Sequence, residues 1–419
     1  MRSDYIIVGA GVVGVCAAYH LAKSGAEVLL LERSTIAPTA PLSSSGDHGR
    51  LFRMMYMNNP DMTQLCQESL RYWHLFEQES QTTLFTSTGM LVFGADSTSA
   101  RAHWKNPAAA TWARESVEIL SAFKVPHELL SKAEVVERFP QIAPQDSYDH
   151  AILDHNAGVL HARKAVQTVG VLATQHGAEI YERTPVLEVI RKNHQVERLI
   201  TERGEIVPKK SVIFAAGAYN TILAPELARK VRVTRQQVLH LSPQDPAEFL
   251  PRHFPATVDS AQFRYIYPII NDDDSLLLAI ADDDNYKLDK VINPAKNFNH
   301  DADEWFINDA RGWLARFVPK LLDAKIVEQK ACLYTNTKTS RYLIYRHGNS
   351  VVASACSGHG FKNGPMSGLI AADLASGIEN KWYFDGFRWE NASDIAINDD
   401  ISLLTPLPGT GKTFDAKTL

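Results

Sequence analysis

An apolar run, Tyr5-Ile6-Ile7-Val8, passes without interruption into Gly9-Ala10-Gly11-Val12-Val13-Gly14, so this end of the chain must be a strand that turns tightly into a helix. Gly9 permits the turn, Gly11 lets backbone approach a pyrophosphate, and Gly14 lets the helix close on the strand. The spacing predicts a helix over Val15 to Lys23, then a second strand, Val28-Leu29-Leu30-Leu31, ending on Glu32. A helix N-terminus offers N–H groups and partial positive charge to phosphates, and Glu32 is placed to accept hydrogen bonds from ribose hydroxyls. Strand, helix, strand and acid in this order imply a dinucleotide site. The alternative is a glycine-rich turn in some other α/β protein, and the motif by itself does not separate FAD from NAD.

At 419 residues the chain is long for one core, and two domains are expected. Its 45% hydrophobic and 22% charged residues are those of a soluble globular protein. A net charge of -5, with no basic patch interleaved with aromatics, gives no case for nucleic acid. The first strand begins too early for a signal peptide, and no apolar stretch approaches the roughly 18–20 residues of a membrane span. Four cysteines (Cys16, Cys66, Cys332, Cys356) suggest a reducing compartment, so a cytoplasmic enzyme is expected.

Beyond Glu32 the pattern predicts a Ser/Thr/Pro-rich loop over Thr35 to Arg50, a helix from Asp61 to Gln78 and one strand from Thr86 to Phe93. Helices are expected near Ala109–Phe123, Ser131–Arg138 and Ala165–His176. Strands follow at Glu179–Tyr181, Val186–Arg191, Glu197–Thr201 and Ser211–Ala216. The chain is expected to leave its nucleotide domain and return to it. That domain comprises 1–84, 152–226 and 328–390; a substrate domain comprises 85–151 and 227–327, and 391–419 is a tail. The runs Asp272-Asp273-Asp274 and Asp282-Asp283-Asp284 lack calcium-loop spacing and read as hairpin turns. Gly409-Thr410-Gly411-Lys412-Thr413 has Pro406 where a P-loop needs glycine, and too little chain follows for the helix. No HExxH or paired CxxC occurs, so no metal site is expected.

Five motifs in order carry a family resemblance. They are Gly9 to Gly14, Arg50-Leu51-Phe52-Arg53, Ala215-Ala216-Gly217-Ala218-Tyr219, Cys332-Leu333-Tyr334-Thr335-Asn336-Thr337, and Ser357-Gly358-His359-Gly360-Phe361-Lys362. From Asp4 to about Gly377 the chain resembles the monomeric sarcosine oxidase and N-methyltryptophan oxidase branch of the D-amino-acid-oxidase-like flavoproteins. The resemblance implies an α/β fold: a Rossmann-like FAD-binding domain with an inserted α+β substrate domain built on a mixed or antiparallel sheet. It implies FAD held by Gly9, Gly11, Val12, Val13, Gly14, Glu32, Arg33, Ser45, Arg50, Val186, Ala216, Gly217, Cys332, Gly358, Gly360, Phe361 and Lys362. No second GxGxxG is present to dock a nicotinamide cofactor.

By resemblance, Cys332 is bonded through sulfur to the 8-methyl carbon of the flavin; the bland alternative is a buried cysteine acting as a small hydrophobe. Arg53 and Lys362 are implied to flank a substrate carboxylate, Arg as a flat fork and Lys as a compact second charge. For Arg53 a surface or flavin-phosphate role is the alternative. Lys362 is read as opening a helix, where a cation has the wrong electrostatic sign unless a local reason holds it there. Tyr334 is expected beside the ring, with His359 as a further catalytic candidate.

The sequence also departs from the family. Leu277 or Leu278 stands where a lysine that helps oxygen accept an electron is expected, Ala281 or Asp282 replaces a histidine, and the nearest lysine is Lys287. Ser45-Gly46-Asp47-His48 replaces a histidine pair before Gly-Asp, and Lys338-Thr339-Ser340-Arg341 replaces PDEH. The expected function is FAD-dependent oxidation of the C–N bond of a small amine or amino acid, with oxygen or another electron acceptor. One alternative is the same chemistry as a dehydrogenase with a non-oxygen acceptor. A second is a non-catalytic flavin-binding protein.

Overall fold

The computed structural model describes residues 1–37, 44–56, 59–102, 104, 110–262, 264–270, 278–282, 294, 299–354, 357–392 and 394. Leu277, Lys287, Asp272–Asp274, Asp283, Asp284, Cys356 and the Gly409–Thr413 run lie outside them.

The first sheet is built around β1 (Arg2–Val8), which pairs in parallel with β2 (Val28–Leu31) on one side and with Gly204–Phe214 on the other. Both faces of such a strand are covered, which is why Ile6, Ile7 and Val8 form an unbroken apolar run and are all buried. Glu179–Tyr181 extends the parallel order beyond β2, and Ser350–Ser354 joins Gly204–Phe214 in parallel. Gln195–Thr201 and Val186–Lys192 add an antiparallel ribbon at the other edge. Helix α1 (Val12–Lys23) packs against the helices Ala162–Gln175 and Gly364–Ser376. The last contact is close because Gly368 has no side chain: a Cβ there would lie 2.5 Å from that of Cys16.

A second eight-stranded sheet runs Lys325–Thr337, Val231–Ser242, Leu278–Asp282, Arg264–Tyr267, Ala256–Asp259, Met90–Gly94, His150–Asp154, His127–Ser131. All its pairings are antiparallel except Ala256–Asp259 with Met90–Gly94. Its own core contains Phe93, Tyr148, Phe306, Trp313 and Phe317, supplied partly by the helix Glu304–Phe317. The expected α/β class with a second, largely antiparallel sheet is therefore observed. The strands His150–Asp154 and Lys325–Thr337 run across the residue boundaries drawn from sequence at 151/152 and 327/328.

Two local expectations are corrected. The stretch Thr86–Phe93 is two strands, Phe85–Ser87 and Met90–Gly94, in different sheets. Gly89 breaks it with φ +65, a turn that a run of apolar residues does not reveal. Lys362 does not open the α-helix; it lies in a 3-10 turn, Phe361–Asn363, and the helix begins at Gly364 with Pro365 in its first turn.

Candidate functional site

At the C-terminal end of β1 the glycine motif forms a cradle that side chains would fill. A Cβ on Gly9 (φ +103) would lie 2.8 Å from the Ala215 carbonyl oxygen, and one on Gly14 would lie 1.9 Å from the Gly9 oxygen. Helix α1 starts at Gly11 with no side-chain cap and no acidic residue in its first turn, so its positive end faces this cradle. The Val12 N–H donates to Ser45 Oγ at 3.2 Å, and Val13 packs partly buried beside it. Glu32 reaches back and accepts from the Ala10 N–H at 2.8 Å and the Ser34 N–H at 2.9 Å, which places its carboxylate beside the turn. Arg33 lies 3.9 Å over the Tyr219 ring. The Ala216 N–H donates to Asn220 Oδ1, Gly217 sits at φ +56, and Val186 packs against the same apolar cluster as Ala216. The glycines that leave no room for side chains and the uncapped positive end of the helix suit the pyrophosphate of a cofactor such as FAD.

The two most specific motifs meet. Cys332 and Tyr334 lie on Lys325–Thr337, and Ser357 binds that strand by donating its N–H to the Thr335 carbonyl at 2.9 Å. Gly358 follows at φ +78, where a Cβ would lie 2.3 Å from the Tyr334 ring, so this position requires glycine. Gly360 leads into the 3-10 turn, and Phe361 stacks on Trp73 at 5.9 Å with 4° between planes. Trp73 Nε1 donates to the Lys362 carbonyl, and buried Lys362 donates from Nζ to the His359 carbonyl at 3.0 Å.

His359 completes this corner. Its Nε2 is 2.9 Å from the Ser340 carbonyl, which can only accept, so Nε2 carries the proton. Its Nδ1 then accepts from the Tyr56 hydroxyl at 3.1 Å. Burial and the nearby Lys362 cation, with a smaller push from Arg53, lower its pKa to about 3 although Ser340 opposes this, and the ring is neutral at ordinary pH. Arg53 enters from the end of Gly49–Phe52, its guanidinium 4.5 Å from the Tyr56 ring and 4.7 Å from that of Trp112. It donates to the Met55 carbonyl. Arg53, Lys362, His359 and Tyr334 thus occupy one region. Tyr56 and Trp112 were missed by sequence reasoning. Tyr56 had a faint signal, three residues after Arg53; Trp112 comes from a helix of the other layer and had none.

A second cluster surrounds Asp47, which is 4% exposed. Its carboxylate lies 2.6 Å from Arg50 Nη1, 2.6 Å from Lys330 Nζ and 3.2 Å from His240 Nε2. Glu328 takes Lys330 at 2.9 Å and His48 at 2.8 Å. Register explains the assembly: His240 pairs with Glu328 across two strands, and Lys330 and Cys332, two apart, share a face of one of them. Arg50 also donates to the Ser44 carbonyl, while Ser44 Oγ donates to the Leu333 carbonyl, laying the loop on the strand that carries Cys332. Asp47, His48 and His240 could hold a metal by distance alone. A divalent ion there would meet the Lys330 and Arg50 charges, so the group is an ion-pair cluster.

Among the described residues no helix is long and apolar enough to cross a membrane. The sequence is 27% identical over 380 residues to a monomeric sarcosine oxidase of Bacillus sp. (strain NS-129), covering 89% of this chain and 92% of that one. It is 26% identical to an N-methyl-L-tryptophan oxidase of Citrobacter koseri, covering 90% and 95%. The fold is similar to the L-proline dehydrogenase of P. horikoshii, with TM-score 0.76 and 21% identity over 94% of this chain and 99% of that one. A family model described as FAD dependent oxidoreductase matches residues 4–374. With that match over most of its length, the chain belongs to the FAD-dependent oxidoreductase family.

Proposed function

We propose that this protein oxidises the C–N bond of a small secondary or primary amine bearing a carboxylate, giving an imine that water hydrolyses. One observation carries the proposal: Arg53 and Lys362 converge on one aromatic ring, the Tyr56 side chain. Two cations gathered at one point suit an incoming carboxylate. The names of the two relatives, a sarcosine oxidase and an N-methyltryptophan oxidase, support an N-methyl amino acid. FAD, when bound, would accept two electrons and one proton, a hydride equivalent, from the carbon next to nitrogen. Gly9, Gly11, Gly14, Glu32, Ser45 and Gly217 would hold its nucleotide half, with the domain division drawn from sequence kept as part of the proposal. Arg53 and Lys362 fix the carboxylate, and Tyr334, packed on Gly358, walls the opposite side. With its low pKa, His359 is a poor acceptor for the amine's proton; the rate should rise with pH toward the pKa of the bound amine.

Anaerobic mixing with N-methyl, cyclic and primary amino acids should bleach the flavin, and amines lacking a carboxylate should do so far more slowly. Equal bleaching by both sets would remove the carboxylate clamp, and no bleaching by any would favour the non-catalytic reading. The dehydrogenase reading has its own support. Leu278 lies on the second sheet opposite Leu241, Leu277 lies outside the described residues, and Lys330, on the strand beyond Leu241's, has its charge already balanced by Asp47 and Glu328. In the same reduced samples, a phenazine should therefore restore the colour faster than air-saturated buffer; the reverse order would make the protein an oxidase.

The proposal includes a covalent flavin. Cys16 and Cys66 are fully buried in the apolar core, as inert cysteines are, whereas Cys332 is half-buried on the strand beside Arg50. Acid-precipitated protein should keep its yellow colour, and Cys332→Ser should release it into the supernatant. Colour released by the unmodified protein would rule the bond out. A reducing, cytoplasmic setting suits buried Cys16 and Cys66 and completes the proposal.

A further inference from the structure

We infer that Tyr56 is the positioning residue of the carboxylate site: its ring gathers both Arg53 and Lys362, and its hydroxyl is anchored on His359. The inference rests on the carboxylate reading above and deepens it. Tyr56 contacts Arg53, Lys362 and His359. The Arg53 guanidinium is 4.5 Å from its ring centroid, Lys362 Nζ is 5.4 Å from the same centroid, and its hydroxyl is 3.1 Å from His359 Nδ1.

The physical need is plain. Two cations brought to one place repel one another, and each would otherwise turn toward water. An aromatic face is negative, so one ring attracts both without neutralising either. A carboxylate side chain would bind both cations more tightly but would occupy the place of the substrate's carboxylate. The ring itself must then be kept from rotating. His359 does this, because its Nε2–H is committed to the Ser340 carbonyl and only the Nδ1 lone pair remains to accept the Tyr56 hydroxyl. Trp112 closes the outer side of Arg53 at 4.7 Å, so the fork cannot swing away on that side either. Tyr56 therefore sets where the two positive charges stand before substrate binds, which is preorganisation of the site.

The test compares Tyr56→Phe, Tyr56→Leu and, as a control on the parent reading, Lys362→Met, all as flavin-loaded protein. The probes are propionate and benzoate, read by perturbation of the flavin's visible spectrum, and the best amino-acid substrate from the bleaching screen. Tyr56→Leu should weaken carboxylate binding and raise KM by about 10- to 30-fold, the scale of desolvated cation–ring contacts, with a much smaller change in kcat. Tyr56→Phe keeps the ring but loses its anchor on His359, so it should fall between the unmodified protein and Tyr56→Leu, and this partial rescue separates a ring effect from general damage. Leucine binding carboxylates as tightly as tyrosine, or phenylalanine failing as badly as leucine, would overturn the inference. If Lys362→Met also leaves carboxylate binding unchanged, the carboxylate site itself is wrong and the inference falls with it. If Lys362→Met loses binding while Tyr56→Leu does not, only the role of Tyr56 fails. Should Tyr56→Leu lose its flavin, Tyr56→Met, which also removes the ring but fills its place with a flexible side chain, takes its part in the comparison with the same outcomes.

Discussion

Asp47→Asn should destabilise the folded protein by about 3–5 kcal/mol, the cost of leaving a buried charge without its partner. The asparagine keeps the shape and removes only the charge, so the loss reports the ion pairs and not a cavity. Arg50 and Lys330 both lie 2.6 Å from this carboxylate, and Lys330 is only 7% exposed. Without Asp47, Lys330 retains Glu328, but no other ion pair to Arg50 is present among the described residues. The measurement is urea unfolding of the flavin-loaded protein, where the midpoint should fall with little change in slope. Asp47→Asn combined with Lys330→Met should be less damaged than the sum of the two single changes, because the second removes a cation that the first left uncompensated. A single-variant loss below about 1 kcal/mol would mean that the cluster is hydrated and contributes as little as surface pairs do.

The same cluster gives a pH dependence with a definite sign. Burial alone would raise the Asp47 carboxyl, but Arg50, His240 and Lys330 hold it well below its usual value. The hydrogen bond from His48, then Lys330, brings Glu328 to about 2 against the effect of burial. Both carboxyls bind a proton less readily when folded than when unfolded, so their stabilisation is complete above the ordinary carboxyl range. It is lost as pH falls, for Glu328 between about 4.5 and about 2, and for Asp47 through its own lowered folded pKa. His240, kept neutral by burial, adds in the same direction as pH drops below its ordinary value.

How far a residue could be read in sequence depended on how local its constraint is. Gly9 and Gly14 were legible because a side chain on Gly9 would meet the Ala215 carbonyl at the end of the neighbouring strand and one on Gly14 would meet the Gly9 carbonyl of the same turn. Cys332 to Thr337 and Ser357 to Lys362 were legible as motifs, and the structure supplies the reason they occur together: Ser357 is bonded to Thr335, and Gly358 receives the Tyr334 ring. The Asp47 cluster was not legible. Asp47, His240, Glu328 and Lys330 are distant in sequence and meet through the register of two long strands and one loop, which no periodicity records. Apolar patterning likewise could not divide Thr86–Phe93 between two sheets, because the break is one glycine with positive φ. Lys362 was placed on the wrong element. Its charge sits in a turn ahead of the helix, bonded to the His359 carbonyl, which removes the electrostatic objection to a cation at a helix N-terminus.

Arg53→Met should cost roughly 2–4 kcal/mol in kcat/KM for a carboxylated amine, the range for truncating one partner of a hydrogen-bonded charge pair. At about 1.4 kcal/mol per factor of ten, that is a loss of some 30- to 1,000-fold. Methionine is chosen because its unbranched, polarizable side chain can still pack between Tyr56 and Trp112, so the fold and the flavin should be retained. The informative quantity is the ratio of kcat/KM for an amino acid to that for the same amine without its carboxylate. Arg53 supplies its fork only to the carboxylate, so the substitution should collapse this ratio while leaving the poorer substrate little changed. Arg53→Lys keeps the charge but not the two parallel donors, and it should fall between the two. Competitive inhibition by propionate and benzoate should weaken in parallel, since these probes carry the carboxylate alone. A ratio that survives Arg53→Met would show that the guanidinium does not reach the substrate, and would leave it the surface or flavin-phosphate role that the sequence also allowed.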